Sequence, residues 1–151
     1  MNIKALVGAG DRIVKPVLPF LVIGVALNVL YPSVFGVGGP LPALKVAALV
    51  ALVPGVVGWL WSVVLILTRV PKHELITGGP FALVKHPLYT AVSLLVVPAI
   101  GILLNSWLGV VIGLVMYLAS RRYAPGEEET LSREFGDEWD RYATGVLAPW
   151  L

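Results

Sequence analysis

Long apolar runs broken by two polar islands dominate this chain. Hydrophobic stretches cover about Pro16 to Phe35, Ala43 to Leu67, Leu88 to Leu104 and Ser106 to Ala119. A bilayer core of about 30 Å takes about 20 helical residues. The first two runs reach that length; the last two are shorter and joined only by Asn105-Ser106. The spacing predicts two spans followed by a tight helical hairpin, its second arm extending toward Tyr123. Pro54-Gly55 predicts a kink in the second span. The first run is too long for a signal-peptide core and lacks a clear small-residue cleavage site, so it is expected to stay as a span. Beyond Pro125-Gly126 the pattern changes. Leu131, Phe135, Trp139 and Tyr142 recur at helical spacing with charges between them. That predicts a C-terminal amphipathic helix, packed over the span ends or lying in the membrane interface.

Composition strengthens this picture. Of 151 residues, 58% are hydrophobic and 13% charged, against roughly 45–50% and 25% in soluble domains. Mean hydropathy is +0.88. The expected fold class is all-α, an integral membrane bundle of about four transmembrane helices plus the C-terminal amphipathic helix. One domain spans 1–151: two N-terminal spans in 1–72, then a polar loop, the hairpin and the final helix in 73–151. Cysteine is absent, which excludes disulfides, thiolate nucleophiles and Cys-ligated metals. A net charge of +2 is too small to indicate a nucleic-acid partner.

Charge placement predicts the orientation. Lys4, Arg12 and Lys15 precede the first span. Arg69, Lys72 and Lys85 lie between the second and third, and Arg121, Arg122, Arg133 and Arg141 follow the fourth. Only Lys45 falls among the opposite loops, so both termini and the 73–89 loop are expected on the cytoplasmic side of a cell (inner) membrane. All nine acidic residues fall on that side too.

Chemistry concentrates in the two islands. The first runs His73-Glu74-Leu75-Ile76-Thr77-Gly78-Gly79-Pro80-Phe81, then Lys85-His86-Pro87-Leu88-Tyr89, and holds both histidines. The second begins at Glu127-Glu128-Glu129. Each has an ordinary structural explanation. Lys85-His86-Pro87-x-Tyr89 suits a helix start with interfacial cationic and aromatic residues, or a polar cap holding an anionic group. The glycines and Pro80 suit a turn, yet a connection of roughly eighteen residues is longer than most helix–helix links, and Gly78-Gly79 lets backbone approach a ligand. The glutamate triplet suits the macrodipole of a first helical turn, or a set of acceptors for an ammonium or hydroxyls. Two histidines thirteen residues apart make a poor metal signal, and no metal site is expected. Asn28 and Asn105 read as packing and turn residues, and Trp59, Trp61 and Trp107 as core or belt aromatics.

Taken in order, the islands resemble a known family. His73-x-Leu75-Ile76-Thr77-x-Gly79-x-Phe81, Lys85-His86-Pro87-x-Tyr89, a hairpin with Asn105 at its tip, then Glu127-Glu128 with Leu131, Phe135-Gly136, Trp139 and Tyr142 are similar to the isoprenylcysteine carboxyl methyltransferases. The phospholipid N-methyltransferases share the His-Pro-x-Tyr and Glu-Glu elements. The resemblance covers about residues 73–151; residues 1–72 match only as generic spans. It implies S-adenosyl-L-methionine as methyl donor, S-adenosyl-L-homocysteine as product, and a lipid or other lipophilic acceptor. Cofactor contacts would then fall on His73, Glu74, Leu75, Ile76, Phe81, Lys85, His86, Pro87, Leu88, Tyr89, Glu127 and Glu128. His86, Glu128, Arg121 and Arg122 are candidates for a part in catalysis.

Two departures from the family pattern matter. Lys85 stands where an arginine is common, which keeps the charge and loses the bidentate fork. Tyr123 stands where the isoprenylcysteine enzymes place the arginine that holds the substrate carboxylate. A carboxylate acceptor is therefore less expected than another lipophilic one. The donor itself suits the residues. Lys85 and His86 match its carboxylate, Glu127 or Glu128 its ammonium or ribose, and Phe81 and Tyr89 its adenine or, by cation–π attraction, its sulfonium. The alternatives are a phospholipid amine N-methyltransferase, an NADPH-dependent membrane reductase of the sterol-reductase type, and a non-enzymatic membrane adaptor. The glutamate pair favours methyl transfer over reduction.

Overall fold

The computed structural model describes residues 10–38 and 42–149, in which every regular element is helical. Helix α1 (Gly10–Leu30) leads through Tyr31 into a single turn, α2 (Pro32–Phe35), and α3 (Pro42–Arg69) follows. One 3₁₀ turn, Val70–Lys72, ends α3, and a second, Gly79–Ala82, lies in the connection to the next helix. Then come α4 (Pro87–Leu103), α5 (Leu108–Phe135) and α6 (Asp137–Gly145). Helix α4 is central: α3 packs on one side of it and α5 on the other, while α1 lies along α5 and α6 contacts α5.

Small residues set these contacts. Gly101 and Gly109 face each other across the hairpin so closely that a Cβ on either would come 2.5 Å from the other's Cα. One turn further, a Cβ on Gly113 would collide with the Ser93 carbonyl oxygen. A Cβ on Gly55 of α3 would meet the Leu95 Cβ at 2.7 Å. Where burial from water gives no drive to association, such close backbone approach maximises van der Waals contact. Ser62 and Ser93, both fully buried, return their hydroxyls to their own helices, to the Gly58 and Tyr89 carbonyls at 2.7 Å each. No buried hydroxyl is thereby left without a partner at these two positions.

Prolines shape the helices more than they end them. Helix α3 runs through Pro54 and α5 through Pro125. In α4, residues Val92–Val96 form a π-helical segment just before Pro98. Pro98 has no N–H for the Leu94 carbonyl, and its ring would crowd that group in a regular helix; a widened turn makes room. At Tyr31-Pro32 and again at His86-Pro87 a proline does coincide with a break: the preceding residue leaves the helical region (φ −132°, ψ 58° at Tyr31; φ −123°, ψ 61° at His86) and the proline opens the next helix.

Two helix ends share one device. Asn105 adopts φ +58°, its N–H bonds the Ile102 carbonyl, and the Ser106 N–H reaches back to Gly101. His73 adopts φ +56° with the same pair of bonds, His73 to Val70 and Glu74 to Arg69. Both are Schellman caps with a non-glycine residue in the left-handed position. At the hairpin tip, Trp107 ties in α2: its backbone N–H bonds the Phe35 carbonyl at 3.1 Å, its indole bonds the Val34 carbonyl at 3.2 Å, and its ring packs on Phe35.

Several sequence expectations are corrected. The first apolar run is divided at Tyr31. The fourth does not end near Tyr123; α5 continues through Pro125-Gly126 to Phe135. The break falls at Gly136, whose φ +52° and ψ −127° suit only glycine. The predicted amphipathic stripe is thus split, with Leu131 and Phe135 on α5 and Trp139 and Tyr142 on α6. Helix α3 stays continuous through Pro54-Gly55, the site of the expected kink, and a bend there is compatible with that. Of the described helices, one (Pro42–Lys72) is long and apolar enough by itself to cross a membrane; Val17–Leu30 and Pro87–Leu103 are shorter apolar helices. Outward apolar side chains such as Val22, Val50 and Leu67 are 60% exposed or more. So large an uncovered apolar surface calls for a non-aqueous surrounding.

Candidate functional site

At the end of the bundle away from the hairpin tip, the two islands meet. His86 is the N-cap of α4 and Pro87 its first residue; the proline's missing N–H costs nothing there. Tyr89, three residues on, shares a face with His86, and their rings stack at 6.0 Å and 23°. Across from them the long α5 carries Glu127 and Glu128. Successive helical residues diverge by about 100°, so the two carboxyl groups take different partners. Glu128 accepts a hydrogen bond from Lys85 Nζ at 2.7 Å through one oxygen and from His86 Nε2 at 3.1 Å through the other. Glu127 accepts one from the Tyr89 hydroxyl, and its buried Oε2 has no partner.

Environment drives these neighbours apart. The hydrogen bond from His86, with that of Lys85 and its charge, outweighs the cost of burial and lowers Glu128 to about 2. Burial raises Glu127 above the usual carboxylate range, against the positive influence of His86 and the Tyr89 bond. One firmly ionised carboxylate thus stands beside one that is reluctant to ionise. Glu129, the third of the triplet, turns outward to pair with Arg133 on the exposed face of α5.

The C-terminal segment braces the same region. Tyr142 donates to the Phe81 carbonyl at 2.9 Å, and the Leu147 and Ala148 amides bond the Ala82 and Leu83 carbonyls. Burial, then the Glu128 charge, raises the Tyr142 phenol and keeps it a donor. Trp139 and Val146 are buried alongside. These contacts fix the turn that leads directly into Lys85-His86. The sequence placed Tyr142 in a stripe; nothing local indicated that its hydroxyl reaches Phe81.

Of the residues predicted from sequence, the structure gathers Lys85, His86, Tyr89, Glu127 and Glu128 into one cluster. Pro87 is buried beneath it; Leu88, Leu75, Ile76 and Phe81 are partly buried. Glu74 is instead bound to Arg69 at 2.6 Å. His73 Nδ1 lies 3.4 Å from Glu134, on the exposed rim, two turns along α5 from Glu127. Arg121, Arg122 and Tyr123 are exposed on α5. No group of His, Asp and Glu among the described residues is arranged to hold a metal ion.

The model of the isoprenylcysteine carboxyl methyltransferase family matches residues 43–132. The chain belongs to the isoprenylcysteine carboxyl methyltransferase family. The match takes in α3, the 79–82 turn, α4 and most of α5, and so all five residues of the cluster. It starts well before residue 73, so α3, generic by its motifs, is part of the family's common region. It stops short of Gly136 and α6. No curated protein and no solved structure matches the chain. Membership of the isoprenylcysteine carboxyl methyltransferase family implies a membrane methyltransferase working on a lipophilic substrate.

Proposed function

We propose that this chain is an S-adenosyl-L-methionine-dependent methyltransferase whose cofactor lies on the 85–89 and 127–128 cluster and whose acceptor is lipophilic. The observation that carries this reading is the unpartnered, buried Oε2 of Glu127 beside a Lys–His pair. An orphaned acceptor is costly unless a ligand donates to it, and an ammonium or a ribose hydroxyl does so. The donor's carboxylate suits Lys85 and His86, and Tyr89 offers a ring face to adenine or sulfonium. When bound, the cofactor supplies an electrophilic methyl group. The protein's part is chiefly to position the reactants. His73, Glu74, Leu75, Ile76, Phe81, Pro87 and Leu88 complete the proposed lining, and His86 or Glu127 can take up a proton if the acceptor is an amine.

In this reading 1–151 form one domain with about four membrane-crossing helices. The predominance of basic residues at the site's end supports a cytoplasmic pocket and cytoplasmic termini. Cysteine at Gly78 or Gly126 is then labelled from the cytoplasmic face and cysteine at Val37 from the opposite one; labelling of 78 and 126 from different faces rules out a shared pocket. The function is tested by thermal denaturation in detergent. S-adenosyl-L-homocysteine at about 100 times its dissociation constant should add about 2.7 kcal/mol. A shift with NADPH and none with S-adenosyl-L-homocysteine refutes methyl transfer in favour of a reductase.

A further inference from the structure

Lys85 and His86 are nearly enclosed, with side chains 15% and 12% exposed, and both hydrogen-bond a single carboxylate, that of Glu128. The two bonds run to different oxygens of that group. The pair is therefore already shaped as a two-pronged carboxylate site. An amino-acid carboxylate presents the same planar group and the same charge. A second carboxylate brought to these donors would stand against the Glu128 charge, and His86 Nε2 has a single N–H to give, so the two carboxylates compete.

We infer that Glu128 is an internal competitor, a tethered carboxylate that occupies the Lys85–His86 subsite until the amino-acid end of the methyl donor displaces it. This rests on the methyltransferase reading above. Glu128 stands on a continuous helix, so only its side chain needs to move, and at 27% exposure it has a path to solvent. In the absence of ligand it gives the poorly solvated Lys85 ammonium a counter-charge and His86 Nε2 a hydrogen-bond partner. Its cost falls on affinity: a ligand that needs the subsite binds more weakly in proportion to the fraction of molecules in which Glu128 has left. A ligand without a carboxylate escapes that cost.

The test compares S-adenosyl-L-homocysteine with 5′-methylthioadenosine, which keeps the adenine, ribose and thioether but lacks the amino-acid end. Calorimetric titration uses the full chain in detergent. Glu128→Gln should lower the melting temperature of the free protein. It should also tighten S-adenosyl-L-homocysteine on the order of tenfold and leave methylthioadenosine unchanged. Glu128→Asp, which retracts the charge by one methylene, should fall between. Lys85→Gln should weaken S-adenosyl-L-homocysteine alone, which keeps the subsite testable if Glu128→Gln does not fold. A purely structural Glu128 would weaken both ligands together, and a Glu128 that grips the donor's ammonium would weaken S-adenosyl-L-homocysteine selectively. Either result overturns the inference while leaving the methyltransferase reading intact. So does a Lys85→Gln protein with an unchanged preference between the ligands. If the unmodified protein binds neither ligand, the methyltransferase reading fails and the competitor role with it.

Discussion

Glu128 and His86 are 42 positions apart in the chain and 3.1 Å apart in the fold. Their contact joins the glutamate helix to the start of α4. It separates the two paired glutamates into one committed to Lys85 and His86 and one left with a free oxygen.

Glu127→Gln should part stability from affinity. Glu127 resists ionisation in its buried position, so neutralising it should leave melting at pH 7 unchanged or raise it. Cofactor affinity should fall by about 1.5–3 kcal/mol, the scale of a hydrogen bond to a charged group. Glu129→Gln, on the exposed face with Arg133, should change neither by more than about 0.5 kcal/mol. Equal, small effects on S-adenosyl-L-homocysteine titration from both substitutions would reduce the triplet to a helix-terminal charge cluster.

Acid should loosen the site through Glu128. Its folded pKa is depressed from 4.5 to about 2. Its stabilising contribution is therefore complete above pH 4.5 and is lost as pH falls from 4.5 through 2. Glu127 has the opposite sign: with its pKa raised, its contribution is complete below 4.5 and declines as pH rises through the folded value. Melting curves of Glu128→Gln should accordingly lose acid sensitivity between pH 4.5 and 2, and those of Glu127→Gln should lose a decline on the alkaline side of 4.5. Unchanged pH profiles in both variants contradict the assignments.

Gly109→Val should damage the hairpin. Even a Cβ at this position would lie 2.5 Å from the Gly101 Cα, with backbone on both sides and no flexible side chain to yield. Overpacking commonly costs about 1–3 kcal/mol, and here it separates α4 from α5 and so His86 from Glu128. Loss of S-adenosyl-L-homocysteine binding with a lowered melting temperature is the anticipated pair of results. Gly126→Ala, where a Cβ meets open space, serves as the control and should be neutral or slightly stabilising.

Tyr123→Arg addresses the acceptor. A carboxylate acceptor in a low-dielectric pocket needs a cation. Position 123 supplies none, and Arg122 and Arg121 are rotated from it by about 100° and 200°. The unmodified protein should methylate a farnesylcysteine analogue poorly, and Tyr123→Arg should improve it. Efficient methylation by the unmodified protein, undisturbed by Arg121→Ala or Arg122→Ala, contradicts this view of the acceptor.

Apolar periodicity and turn chemistry act over a few residues, so the all-helical class, the order of the apolar segments and the two islands were legible in the sequence alone. Asn105 is the clearest case: a short polar residue between two apolar runs takes the left-handed position that closes α4. Family membership was legible for the same reason, since its motifs are short and ordered. Tertiary structure alone decided where α5 stops, because a proline–glycine pair resembles a terminus unless packing carries the helix past it. It also decided which glutamate serves which partner. Three consecutive glutamates are alike in composition, and only the rotation of α5 against α4 turns Glu128 to Lys85 and His86, Glu127 to Tyr89 and Glu129 to solvent. That rotation depends on close backbone contact at Gly101, Gly109 and Gly113, many residues away, where no local sequence signal can register it.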